Sequence, residues 1–206
     1  MDSTVVIEPA YNALSDVRAL FEAYTAMLVT HDPAFQIYLD IQHYADELRA
    51  PAAKYAPPDG RLYLARVDGR AAGCIALRRL DGERCEMKRL YVQPQYRGRG
   101  LARQLIRRIT EDARQIGYRC MLLDTLPVLE DAVRLYRQLA QQLMEPLVAH
   151  YAAQMGLHPT AVKIGRAAGS WGYCKRDGSI TFTWRLVCQP EAFVRYVAVH
   201  ELCHLR

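Results

Sequence analysis

A strand, a glycine-bearing hexapeptide and a helix in direct succession leave few folds open, and residues 84–116 follow that order. The strand candidate CEMKRLYV leads through Gln95-Tyr96-Arg97-Gly98-Arg99-Gly100 into a stretch from about Gly100 to Gln115. Helical spacing there buries Leu101, Leu105 and Ile109 and presents Arg103, Arg107 and Arg114 to solvent. Two more strand candidates, RLYLARV and AAGCIALRRL, come before it, with Asp68-Gly69 and Asp81-Gly82 in the gaps. Asp-Gly favours hairpin turns, so these three strands are expected to be antiparallel neighbours. Gly117 ends the helix, and YRCMLLDTL follows as a strand whose nearly continuous apolar run predicts burial on both faces. A strand, loop, helix, strand order makes that last pairing parallel, through a right-handed crossover.

The hexapeptide carries chemistry as well as topology. A loop between strand and helix directs successive backbone N–H groups, with the positive end of the helix dipole, at one point in space. Glycines at 98 and 100 let a phosphate approach the backbone without a Cβ in the way, and Arg97 and Arg99 add charge. The chemistry is that of a pyrophosphate cradle. It is not a Walker loop, because Lys-Ser/Thr does not follow, nor a dinucleotide fingerprint, because the glycine spacing and preceding strands differ.

Around this centre, TVVIEPA reads as a strand. SDVRALFEAYTAMLV reads as a helix capped by Ser15, and a second helix runs from Pro33 towards Arg49. Glu130 to Leu139 is helical. AQQLMEPLVAHYAAQMGLHP is helical too, interrupted at Pro146 and stopped by Gly156 and Pro159. AVKIGRA and SITFTWRLV are strand candidates, and a last helix begins at Pro190-Glu191. The expected domains are 1–139 and 140–206.

Composition narrows the function classes. Apolar residues make up 51% of 206, enough for a sizeable core. MDSTVVIEPA lacks the basic and apolar regions of a signal peptide, and no stretch approaches the ~20 apolar residues of a membrane span. A cytoplasmic protein without membrane partners is expected. Six cysteines form no CxxC pair and read as buried small hydrophobes. A formal charge of +5 suits an anionic small ligand and falls short of a nucleic-acid-binding face.

QYRGRG, its approach CEMKRLYVQP and the later LDTL and AVRLYRQL resemble the GNAT N-acetyltransferases over roughly residues 1–139. The resemblance implies an α/β (α+β) fold, a mixed central sheet flanked by helices, and acetyl-CoA as cosubstrate. It implies that Gln95, Arg97, Gly98, Arg99, Gly100, Leu101 and Ala102 hold the CoA pyrophosphate, with the strand at Leu90 and Val92 pairing with the pantetheine arm. Tyr136 matches the helix tyrosine that protonates the leaving thiolate in such proteins; a core tyrosine is the structural alternative. Glu86 occupies a place from which some relatives deprotonate the incoming ammonium, and pairing with Lys88 or Arg89 is its alternative. Two departures stand out. Leu129 replaces the family's Asn. After LYRQL the chain continues into Ala140-Gln141-Gln142 and stays helical, where the family has Gly-Phe and two more strands.

VAVHELCHLR sets His200 and His204 at i and i+4, where both imidazoles reach one ion, with Glu201 beside it as general base. A solvated or core-satisfied pair is the structural alternative. SWGYCKRDGSITFTWRLV followed by PEAFVRYVAVHELCHLR resembles the YgjP-like metallopeptidases over roughly 143–206, implying a small helix-hairpin-helix zincin-like segment. That family's third ligand is a histidine beyond HExxH, which residues up to Arg206 do not include. Two imidazoles imply weak, exchangeable Zn2+ unless Cys174, Cys188, Cys203, His150 or His158 substitutes. AVKIGRA and SITFTWRLV could form the hairpin that the first domain's sheet lacks, using the face of Ile180, Phe182, Trp184 and Leu186.

The sequence thus predicts transfer of an acetyl group from acetyl-CoA to a primary amine, small-molecule or peptide. Its rivals are a zinc hydrolase acting through His200, Glu201 and His204, and an acyl-CoA-binding protein without transfer. An unfinished sheet edge would invite pairing with a second copy as a homodimer.

Overall fold

A computed structural model describes residues 4–41, 43–123, 130–165 and 169–205. The chain forms two compact units, Met1–Asp124 and Thr125–Arg206.

The first unit is built on a five-stranded sheet in the order β1-β2-β3-β4-β5. Its strands are β1 (Val5–Pro9), β2 (Arg61–Val67), β3 (Arg70–Arg79), β4 (Arg84–Val92) and β5 (Cys120–Leu123). β1 to β4 pair antiparallel, and β4 and β5 pair parallel over Arg84–Met87 and Cys120–Leu123. This is the mixed sheet expected. Asp68 and Gly69 both take positive φ (49° and 77°), which closes β2 onto β3 with the twist a two-residue hairpin needs. The Asp81 loop works differently. The Asp81 carboxylate accepts the amides of Glu83 (2.9 Å) and Arg84 (2.8 Å), so a side chain makes the turn.

Helix α1 (Leu14–His31) begins ahead of Ser15, with no side-chain cap. Its Val17, Leu20 and Phe21 pack with Leu62, Leu64, Cys74, Ala76 and Tyr91 on one face of the sheet. The helix expected over 33–49 is two, α2 (Phe35–Ile41) and α3 (Tyr44–Arg49), because His43 takes a left-handed conformation (φ 53°) that a helix cannot continue through. α4 (Pro51–Tyr55) follows, with proline in its first turn. α5 (Leu101–Ile116) buries Leu101, Leu105 and Ile109 and ends on Gly117 at φ 102°. β5 is shorter than expected and not buried on both faces: Leu122 is 41% exposed. An apolar run cannot by itself tell a central strand from one at an edge. The continuation of LDTL over 124–126, and Leu129, lie outside the described residues.

In the second unit α6 (Glu130–Met155) is one helix through the expected division at 139/140 and through Pro146. Met144, Val148 and Ala152 form its buried stripe, with Pro146 on the exposed face. The stripe packs against Ile180, Phe182, Leu186, Val194, Val197, Ala198 and Leu202. Burying it offsets the ~3 kcal/mol that an internal proline costs. The expected hairpin is absent in that form. β6 (Ala161–Gly165) runs parallel to β8 (Ser179–Thr183), and the hairpin partner of β8 is β7 (Gly172–Cys174). Both edges of β8 are occupied within this three-stranded sheet, and among the described residues none of its strands pairs with β1–β5 as the expected completion of the first sheet would need. Trp184–Cys188 is a 3-10 turn rather than strand, started by Thr183 Oγ1, which accepts the Arg185 amide at 3.4 Å. α7 (Glu191–Cys203) carries the histidine pair. Among the described residues no helix is long and apolar enough to cross a membrane.

Candidate functional site

The site in the first unit starts at an irregularity in β4. Described pairing with β5 stops at Met87 and Leu123, and directly afterwards the β3–β4 register slips between Cys74 and Ala76. Arg89 sits in this bulge with φ 57°, a conformation that a residue with a Cβ adopts at a cost of about 1–2 kcal/mol. Leu90 and Val92 follow half-buried, Val92 packing against Val67, Ala72 and Leu101.

A short 3-10 turn, Pro94–Tyr96, then leads to Gly98 (φ 77°) and Gly100 (φ 76°), and Gly100 caps α5. Both glycines are needed for backbone conformation, because a Cβ at either would meet no protein atom within 4 Å. The loop's outer face is therefore open. The first helical hydrogen bond runs from the Gln104 amide to the Gly100 carbonyl (3.1 Å). The amides of Leu101, Ala102 and Arg103 precede it and have no helix carbonyl to donate to. No acidic residue stands in the first turn of α5 and no side chain caps it. Arg97 donates to the Val92 carbonyl (3.2 Å), and the Arg99 guanidinium lies 5.8 Å from the centre of the Tyr96 ring. Gln95 is exposed and bonds Gln93 at 2.6 Å. The expected cradle residues thus converge on one open, positively charged loop, whose chemistry fits a diphosphate.

Glu86 lies earlier on β4, with Arg78 on one oxygen (2.5 Å) and Lys88 on the other (3.3 Å). Arg89 is not among its partners. Instead Arg89 reaches Glu47 of α3, Nε to Oε1 at 2.6 Å and Nη2 to Oε2 at 3.0 Å. Glu47 also accepts from Lys54 (2.6 Å) and Tyr55 (2.7 Å), and is 3% exposed. Burial works to raise its carboxyl, but the hydrogen bonds and charge of Arg89, joined by Lys54 and Tyr55, outweigh that and hold it at about 2. Sequence reasoning missed this pair. Arg89 stands beside Lys88 and Glu86 on a strand with several charges, so nothing in the sequence singled it out.

Tyr136 belongs to the second unit, buried there with its ring stacked on Trp184 (5.6 Å between centres, 20° between planes). In the same unit His200 and His204 bring their Nε2 atoms to 3.3 Å. Two ligand nitrogens on one tetrahedral zinc, each about 2.0–2.1 Å from it, lie about 3.3–3.4 Å apart, so the pair fits a shared ion. Glu201 is buried on β7: a Cβ on Gly172 would come within 2.9 Å of Glu201 Cγ. Among the described residues no three of His, Cys, Asp or Glu gather as a metal site, Cys174, Cys188, Cys203, His150 and His158 included. The two imidazoles would make two of the three protein ligands that a catalytic zinc takes.

The model of the acetyltransferase (GNAT) family matches residues 22–140, and that of the YgjP-like metallopeptidase domain matches 102–206. The second match starts well before the expected 143, so the two overlap through α5, β5 and the start of α6. An uncharacterized N-acetyltransferase of Schizosaccharomyces pombe is 43% identical over 114 residues, 54% of this chain and 70% of the relative. The IAA acetyltransferase of Azospirillum brasilense is 31% identical over 52% of this chain and 75% of its own length. Among solved structures, an acetyltransferase of Streptococcus agalactiae superposes with a TM-score of 0.52 at 23% identity, covering 65% of this chain and 80% of its own. The PaiA N-acetyltransferase of Thermoplasma acidophilum, in complex with coenzyme A, does so with 0.52 at 14%, covering 66% and 87%. At those identities the likeness concerns the fold. The chain belongs to the GNAT acetyltransferase family through residues 22–140 and to the YgjP-like metallopeptidase family through residues 102–206.

Proposed function

We propose that this chain transfers the acetyl group of acetyl-CoA to a primary amine, and one observation carries the reading: an open, arginine-flanked loop of left-handed glycines at the start of α5, fed by the bulged end of β4. Its backbone amides would take the pyrophosphate of acetyl-CoA, the Leu90–Val92 stretch its pantetheine arm. The amine nitrogen bonds to the thioester carbon, the carbon–sulfur bond breaks, the thiolate takes a proton and the amine gives one up. By its match to the family tyrosine, Tyr136 is assigned the proton to sulfur. Glu86 we assign to holding Arg78 and Lys88, leaving the amine's proton to solvent. The YgjP-like segment would offer zinc two imidazoles of suitable spacing, and among the described residues no third ligand gathers beside them.

The test is calorimetric titration with acetyl-CoA of the wild type and of Gly98→Trp, then acetylation assays over amino acids, polyamines, aminoglycosides and peptides. Tryptophan at 98 puts a bulky side chain on the open side of the loop and strains a backbone held at φ 77°, so the variant is expected to lose binding, with circular dichroism checking that the rest of the fold is kept. Equal affinity of the two proteins would move the coenzyme elsewhere.

A further inference from the structure

We infer that Glu47 is a positioning residue for the coenzyme strand: through Arg89 it holds β4 in its bulge, and the bulge aims Leu90–Val92 and the glycine loop, an inference resting on the acetyltransferase reading. A β-bulge bends its strand and sharpens the twist. This one falls between the last described β4–β5 pair, Met87–Leu123, and the loop at Gly98. Whatever sets residue 89 therefore sets the direction in which the strand approaches the loop.

Residue 89 is not a glycine, so its left-handed backbone must be held by its surroundings. Four contacts do so. Glu47 takes the guanidinium at two nitrogens, and the same group lies 4.8 Å from the Tyr44 ring centre and 5.8 Å from that of Phe21. On the backbone side, Cys74 Sγ donates to the Arg89 carbonyl at 3.3 Å. Lys54 and Tyr55 fix Glu47 in turn, tying α3 and α4 to the strand. A buried ion pair is a poor source of stability, since desolvating two charges offsets much of their attraction. What it supplies that two leucines would not is direction: a planar fork meets a carboxylate in one orientation.

The discriminating experiment removes the lock and then varies only the tolerance of position 89 for positive φ. In a Glu47→Gln background of the full chain, Arg89→Gly and Arg89→Ala are titrated with acetyl-CoA. Glycine leaves the bulged conformation populated but no longer held, so its Kd is expected to rise only about threefold. Alanine disfavours it, and the apparent Kd rises about tenfold as the competent fraction falls. A merely stabilising role would shift the melting of both variants and leave their Kd values equal. Equal affinities, at the wild-type value or uniformly reduced, overturn the inference while leaving the acetyltransferase reading standing. A wild type that does not bind acetyl-CoA sinks both. Should the alanine variant fail to fold, Arg89→Asn against Arg89→Gln repeats the comparison, because asparagine tolerates the left-handed region and glutamine does not.

Discussion

Replacing Glu47 by glutamine should destabilise the first unit in a strongly pH-dependent way. The side chain accepts hydrogen bonds from Arg89, Lys54 and Tyr55 while almost wholly buried. Its carboxyl is held at about 2 against an ordinary 4.5. A carboxyl whose folded value lies below its unfolded one stabilises the fold above the unfolded value, and that contribution drains away as pH falls towards the folded one. The separation, at about 1.4 kcal/mol per pH unit, corresponds to about 3 kcal/mol at neutral pH and leaves about 1 kcal/mol at pH 3. The same interaction seen from the other side gives a like figure: leaving the Arg89 guanidinium, 6% exposed, without its carboxylate costs about 3–5 kcal/mol at pH 7. Native-state hydrogen exchange of the β3 and β4 amides reads this unit directly, at pH 7, 5, 4 and 3. The gap between wild type and variant should narrow by about 2 kcal/mol across that range. A gap of the same size at pH 7 and pH 3 would mean that the carboxylate charge is not what the network needs.

Three other substitutions probe the second unit. Gly172→Ala drives a Cβ within 2.9 Å of Glu201 Cγ and 3.1 Å of Phe182 Cδ1, and should cost about 1–3 kcal/mol. Both tryptophans, Trp171 and Trp184, belong to this unit, so urea melting followed by their fluorescence measures the loss; an unchanged midpoint refutes the close packing. Tyr136→Phe keeps the stack on Trp184 and removes the hydroxyl, and if Tyr136 supplies the proton to sulfur, kcat drops by about 100-fold or more with acetyl-CoA affinity unchanged. Wild-type kcat in the variant would leave Tyr136 a core residue. Zinc added to the wild type should bind weakly, wash out on dialysis and fail to bind His200→Ala; stoichiometric zinc surviving dialysis would demand a third ligand.

Local chemistry made part of this protein legible in one dimension. Asp68-Gly69 announced a turn that needs two positive φ values, Gly117 a helix end, and QYRGRG a loop whose glycines serve backbone conformation and open approach. Such signals survive in sequence because the residues concerned act on their own backbone. The HExxH spacing likewise put His200 and His204 on one helical face, since helix pitch sets which residues are neighbours there, and their rotamers bring the Nε2 atoms to 3.3 Å. Tertiary structure decided what depends on distant partners. Arg89 chose Glu47, 42 residues away, over the neighbouring carboxylate of Glu86, which Arg78 and Lys88 already occupied. Pro146 was carried inside a helix because a buried stripe on the opposite face outweighed it, and β8 found partners on both edges instead of extending the first sheet. Charge pairing, burial and strand register are contests among alternatives that the chain order does not rank, and they are settled only when the competing groups meet in space.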